Sequence, residues 1–338
     1  MATLAEIAER AGVSVSVASR VLNCDPNLRT RPETRDRVVL AAKELNYTAN
    51  YAGRALRLSR SKAIALIVPD VSTPLFADLL AGATDAASGE DHTLLVGRSE
   101  RVVADGDLLR RLIGEGRVDG FVLQRSDDLS DQALESLVAN DARIVLVASR
   151  TAHRKGSVVL DDVAGGRLAT EHLLGLGHRR IALIGGVDRS DIARRREQGY
   201  TEALHCAGLR KRDAWIRRLG YSPDASAAAA ASLLEASPPP TGIVVANVNG
   251  AIGALTAIRQ AGAEIPEDVS VVAIHDQWMA AHTWPPLTTV KMPFYEVGFE
   301  AVRLLLGRLS GEPAKDIVVS DPPPQLIVRA STGPPGNY

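Results

Sequence analysis

The stretch GVSVSVASRVLN, Gly12 to Asn23, gathers a valine, small hydroxyls and one arginine in a few residues. Its alternation could suit a strand. However, Ala18, Val21 and Leu22 fall at i, i+3 and i+4, which is one stripe of a helix. Val15, Ser16, Ser19 and Arg20 then form an outward face. That face has the chemistry of base-edge recognition. Val15 can meet a thymine methyl, Ser16 can donate or accept, and Arg20 can reach a guanine or a phosphate. Asn23, at the end of the same helix, joins this DNA-binding set. Thr3, Ser14, Ser19 and Tyr47 are candidates for phosphate bonds, which position a domain without reading sequence.

The flanking residues supply the elements that would hold this face. TLAEIAERAG opens with a capping box, Thr3 to Glu6, and Ile7, Ala8 and Ala11 line one side before Gly12 ends the helix. Ser14 is the next N-cap. Two short helices joined by a glycine-containing turn make a helix-turn-helix. Thr30-Arg31-Pro32-Glu33 reads as another capping box, starting a third helix with Val38, Ala42 and Leu45 as its stripe. A three-helix protein-binding module would fit the same pattern. Charge adds an asymmetry. Residues 1–62 hold 11 Lys/Arg and 6 Asp/Glu, whereas the whole chain carries −1. A basic head on a mildly acidic body suits a polyanionic partner.

The chain has 338 residues, too long for one core, and is 46% hydrophobic. No apolar run approaches the ~20 residues of a membrane helix. The first residues include acids and lack the order of a signal peptide, and Cys24 and Cys206 are far apart, so a reducing cytoplasm is expected. No Cys/His cluster has metal spacing, and no nucleophile elbow, phosphate loop or dinucleotide fingerprint is present. Neither cofactor nor metal is expected, and no residue is assigned a catalytic role.

From Ala63 the pattern changes to apolar strands alternating with amphipathic helices: AIALIVPD, PLFADLLAGATDAA, HTLLVG, DLLRRLIGEG, DGFVLQ, DQALESLVAND, RIVLVAS. It then restarts, RRIALIGG echoing KAIALIVPD, and continues through RRREQGYTEALHCAG, TGIVVAN, GAIGALTAIRQAG and VSVVAIHD. Continuous apolar strands between helices indicate parallel sheets covered on both faces. Two such halves imply two doubly wound subdomains with a ligand cleft at the strands' carboxyl ends.

TLAEIAERAGVSVSVASRVLN resembles the N-terminal signature of the lactose-repressor (LacI/GalR) family of bacterial transcription regulators, and TRDRVVLAAKELNY and NYAGRALR continue it. IVPDVSTPLFADLLAG, ATEHLLGLGHRRIALIGG, RRREQGYTEAL and PPLTTVKMP resemble the family's periplasmic-binding-protein-like core. The resemblance implies a helix-turn-helix domain over 1–49, a hinge over 50–60 and an effector-binding and dimerisation core over 61–338. Within the core it implies an N-subdomain of 61–161 plus 291–320 and a C-subdomain of 162–290 plus 321–338. It also implies a repressor, with a homodimer reading double-stranded operator DNA and a sugar or sugar-derived effector. In the hinge, Asn50 can cap a short helix with Arg54 and Arg57 outside, and Leu56 matches the leucine that enters the minor groove.

By the same matching, Arg196, Tyr221, Asn247, Thr73, Phe76 and the pair His275-Asp276 are the candidate effector residues. The chain departs from the family at Ala49, Gly53 and Val17-Ala18 in the head. In the cleft, Val248, His275 and Ala148 or Ser149 stand where acids are usual. Those losses make a plain hexose less certain and leave phosphorylated, anionic or less polar ligands open. A solute-binding receptor would explain the body but not the head. An α/β enzyme with a basic extension lacks a catalytic set, since His178 and His275 are isolated.

Overall fold

The computed structural model describes residues 2–23, 25, 27–47, 60–71, 73–99, 107–125, 129, 131–138, 141, 143–151 and 155–336. Asn50, Arg54, Leu56 and Arg57, which carry the hinge expectation, lie outside these residues. The chain divides into two compact units, Met1–Ser61 and Lys62–Tyr338.

The first unit is helical: α1 (Leu4–Ala11), α2 (Val15–Leu22) and α3 (Pro32–Glu44). Thr3 caps α1 in a complete capping box with Glu6. Gly12 stops the helix at φ 63°, a left-handed conformation that costs glycine little. The turn delivers Ser14, whose hydroxyl accepts from the Val17 amide and starts α2. Ile7, Ala8, Ala11, Ala18, Val21, Val38, Ala41 and Ala42 form the core. The capping box expected at Thr30 does not form. Helix α3 starts at Pro32 with Arg31 as N-cap and no side-chain cap. The reason is local: a Thr30 cap would need amides from the first turn, and Pro32 has none.

The second unit contains two six-stranded sheets. The first lobe is built on β1 (Ala63–Val68), β2 (Thr93–Arg98), β3 (Gly120–Gln124), β4 (Ile144–Val147), β5 (Ser157–Leu160) and β11 (Ile317–Val319). Its helices are α4 (Phe76–Gly89), α5 (Leu108–Gly114), α6 (Asp131–Val138) and α11 (Phe294–Leu309). The second lobe uses β6 (Ile181–Gly185), β7 (Ile216–Arg218), β8 (Gly242–Val245), β9 (Ser270–Ile274), β10 (Thr288–Lys291) and β12 (Gln325–Ile327). Around it lie α7 (Asp162–Gly175), α8 (Asp191–Cys206), α9 (Pro223–Leu234) and α10 (Val248–Gln260).

Strand order is β11-β5-β4-β3-β1-β2 in one sheet and β12-β10-β9-β8-β6-β7 in the other. The two orders are equivalent, so the sequence restart is a repeated fold plan. All pairings are parallel except β10 with β12. Strands β1, β3, β4 and β5 are buried along their whole length, as are β6, β8 and β9, which explains their unbroken apolar runs. The chain passes between lobes three times, at β5 to α7, β10 to α11 and β11 to β12.

Helices α7 and α8 touch backbone to backbone. A Cβ on Gly166 would collide with the Arg196 carbonyl oxygen, and one on Gly199 with that of Val163. This close approach sets the position of Arg196.

Candidate effector cleft and nucleic-acid interface

In the helical unit, Ser14, Val15 and Ser16 at the start of α2 are exposed, Val15 at 49%. This is the end of a recognition helix that meets base edges. Ser19, Arg20, Asn23 and Tyr47 are half-buried. Arg20 Nε donates to Asp25 at 2.8 Å, so the guanidinium is already held against its own unit. Asn23 donates to the Ser19 carbonyl at 2.7 Å and finishes α2. Tyr47 packs on the core, and Thr3 is exposed but occupied in the cap of α1.

In the second unit a cavity of about 360 Å³ opens at the carboxyl ends of the strands of both sheets. From the first lobe come Asp70 and Thr73 after β1, Phe76 opening α4, Gln124 ending β3, Arg125, Ala148, Ser149 and Phe294. From the second come Asp162, Ser190, Asp191, Arg196, Tyr221, Asn247, Asn249 and His275. Ala148 after β4 and His275 after β9, equivalent points of the repeat, both adopt positive φ, 55° and 70°. For a side chain bearing a Cβ this conformation costs energy, and such positions cluster at functional sites.

The floor of the cleft is a buried charged network. Arg196 is 4% exposed. Its Nε donates to Asp162 at 2.9 Å, its Nη2 to His275 Nε2 at 2.7 Å, and its Nη1 to the Ala246 carbonyl. Arg195 Nη2 donates to the other Asp162 oxygen at 2.6 Å, and Nη1 pairs with Asp191. A guanidinium only donates, so His275 Nε2 accepts and the ring proton sits on Nδ1. Burial, reinforced by the Arg196 charge, holds the His275 imidazole well below its usual pKa, and the ring is neutral. Asp162 thus sits between two arginines, and no carboxylate comes from position 275. Phe294 packs edge-on to His275 at 5.1 Å and lies 6.4 Å from Phe76, making an apolar wall.

The other residues expected in the cleft divide. Thr73 and Phe76 line it, with the Thr73 hydroxyl donating to Asp70 at 3.3 Å. Tyr221 lies over Gly186 and meets the Ser190 hydroxyl at 3.2 Å. Asn247 is largely committed to structure. Its Oδ1 accepts from Gly250 at 2.6 Å to cap α10, and its amide donates to the Tyr221 carbonyl. Val248 is buried in the first turn of that helix.

Asp276 corrects the sequence reading, because it does not line the cavity. It pairs with Arg329 at 2.8 Å and accepts from Thr289 at 2.6 Å. The left-handed turn at His275 sends adjacent side chains to different sides, and half-buried Arg329 needs a counterion there.

Sequence reasoning missed Asp162, Arg195, Gln124 and Arg125. A signal existed for the first: two aspartates follow β5, and only Asp161 is needed to cap α7, through the Ala164 amide. Gln124 is 8% exposed and its Oε1 has no partner, an acceptor facing the cavity that a ligand donor would satisfy.

Comparison with known proteins agrees with this architecture. The family model "Bacterial regulatory proteins, lacI family" matches residues 3–50, and "Periplasmic binding protein-like domain" matches 170–332. The HTH-type transcriptional repressor PurR of Erwinia tasmaniensis is 30% identical, covering 100% of this chain and 99% of that protein. A LacI family regulator from Mycobacterium smegmatis has 43% identity and a TM-score of 0.76, over 80% of this chain and 99% of its own. The lac repressor dimer bound to operator and the anti-inducer ONPF has 27% identity and a TM-score of 0.83, over 98% and 99%. A helix-turn-helix head, a two-lobed core and relatives matched end to end leave one conclusion: the chain belongs to the lacI family of bacterial regulatory proteins and is a DNA-binding transcriptional regulator, not an enzyme.

Proposed function

We propose that this chain is a ligand-responsive repressor that reads a near-palindromic operator as a homodimer. Helix α2 enters the major groove with Val15 and Ser16 at the bases, while Thr3, Ser14, Ser19 and Tyr47 face phosphates. Arg20 exchanges Asp25 for DNA. The 50–60 segment pairs across the dimer, with Asn50 capping it, Arg54 and Arg57 flanking the backbone and Leu56 wedged in the minor groove. The cleft takes a small effector that bears at least one hydroxyl or N–H donor, as a sugar or sugar derivative does. Thr73, Phe76, Arg196, Tyr221, Asn247 and His275 surround it.

The observation that carries this reading is the cleft itself: a largely apolar cavity with a neutral imidazole, a charge-compensated arginine and the unpartnered Gln124 oxygen. Support for a homodimer comes from apolar surface left uncovered in both lobes: Leu95 and Val96 on edge strand β2, and Trp278 and Trp284 beyond β9.

A thermal-shift screen against sugars, sugar phosphates, nucleosides and small acids tests the ligand, repeated with Gln124→Ala. One class should raise the melting temperature, less so in the variant. Selection of bound DNA from a random pool should return near-palindromes. Recovery of no enriched sequence would overturn the regulator reading, and a phosphate-dependent hit would replace the neutral sugar by its ester.

A further inference from the structure

The two lobes are joined across the cleft by one buried hydrogen bond that belongs to neither sheet. Arg125 follows β3 in the first lobe and is 8% exposed. Its Nη2 donates to the carbonyl of Arg189 at 2.6 Å. Arg189 lies in the second lobe, in the loop between β6 and α8. The acceptor is main chain, so the bond reports where that loop is and not which side chain it bears.

That loop is wired to the cleft. The next residue, Ser190, lines the cavity, caps α8 through the Ala193 amide and meets the Tyr221 hydroxyl at 3.2 Å. Helix α8 then carries Arg195 and Arg196 to Asp162. On the other side, Arg125 adjoins Gln124, whose unpartnered oxygen faces the same cavity. A ligand filling the cleft therefore touches the residue next to the donor and the residue next to the acceptor.

The geometry points to Arg125 as an interlobe latch. Its bond to the Arg189 carbonyl holds the cleft closed, and effector binding strengthens or breaks that bond through Gln124 on one side and Ser190 and Tyr221 on the other. This rests on the ligand-responsive reading above and names the contact through which the lobes are coupled. A charge-assisted bond in a buried site is worth enough to move a closed-to-open ratio by about tenfold to a hundredfold.

The test is an interlobe distance measured on the full chain without ligand. Spin labels are placed at exposed Thr84 on α4 and Ala231 on α9, after Cys24→Ser and Cys206→Ser. Labelled chain is mixed with excess unlabelled chain, so that distances within one protomer dominate. The unmodified latch should give one narrow distribution. Arg125→Ala should add a longer-distance population, with Arg125→Lys, which keeps the charge but loses the planar fork, in between. A distribution identical in Arg125→Ala, or one already broad with Arg125 in place, would overturn the latch. If Arg125→Ala does not fold, Arg125→Lys decides by the same criterion. DNA selection run in parallel separates the two ideas. Failure to enrich DNA strikes the regulator reading, whereas unchanged lobe distances strike only the latch.

Discussion

Asp162 offers a sharp test of how the cleft floor is held. Its side chain is 2% exposed and accepts from Arg196 Nε at 2.9 Å and from Arg195 Nη2 and Nε at 2.6 and 3.2 Å. Asp162→Ala removes the carboxylate both guanidiniums share. Arg195 keeps Asp191, but Arg196 is left with a carbonyl and a neutral imidazole. Removing one partner of a buried pair costs about 3–5 kcal/mol, because the remaining charge is still desolvated. Arg196→Met leaves Asp162 with Arg195 and should cost only about 1–3 kcal/mol. The double variant removes the stranded charge with its partner, so its loss should fall short of the sum by about 1–3 kcal/mol. Urea unfolding followed by tryptophan fluorescence isolates this unit, because Trp215, Trp278 and Trp284 all lie within Lys62–Tyr338. If Asp162→Ala cost no more than Arg196→Met, and the two losses added, the idea that Asp162 compensates both arginines would be refuted.

Three further outcomes are expected. Val15→Ala should leave unfolding unchanged, since the residue is exposed, yet cost about 1–3 kcal/mol of discrimination at one base pair in competition gel shifts. Gly166→Ala should cost about 1–3 kcal/mol by pushing α7 off the Arg196 carbonyl, whereas Gly175→Ala, with open space around it, should stay within about 0.5 kcal/mol; melting curves of both decide. Burial lowers the pKa of His172, His178 and His275 in the folded chain. The unfolded chain therefore binds more protons below about pH 6.5, and stability should fall as pH drops through that range, by up to about 1.4 kcal/mol per pH unit for each imidazole that stays neutral. The loss should level off only below the folded-state values. A urea midpoint independent of pH across that window would contradict it, and His275→Gln should remove one share of the slope.

Local structure was legible in the sequence. The Thr3–Glu6 capping box, the Ser14 cap and the apolar stripes of α1 and α2 depend on residues three or four apart, and they form as read. The buried strands announced themselves as unbroken apolar runs because both faces of each sheet are covered. The restart at Arg180 anticipated a second copy of the fold plan. Even at this range one neighbour reversed an expectation, when Pro32 removed a donor the Thr30 cap would need.

The cleft was only partly legible. Arg196, Tyr221, Thr73, Phe76 and His275 reach the cavity, and Asp276 does not. What decided their roles was partnership across the chain: Arg196 with Asp162 at a separation of 34 residues, with His275 at 79, and Arg125 with the Arg189 carbonyl at 64. A buried charge is stable only beside its counterpart, and which counterpart arrives depends on where the carboxyl ends of separate strands converge. The sequence by itself therefore determined the helices, the two repeated sheets and the family to which they belong. Only the tertiary structure decided which polar groups neutralise one another and which, like the Gln124 oxygen, stay open for a ligand, because hydrogen bonding and desolvation are settled between elements and not within them.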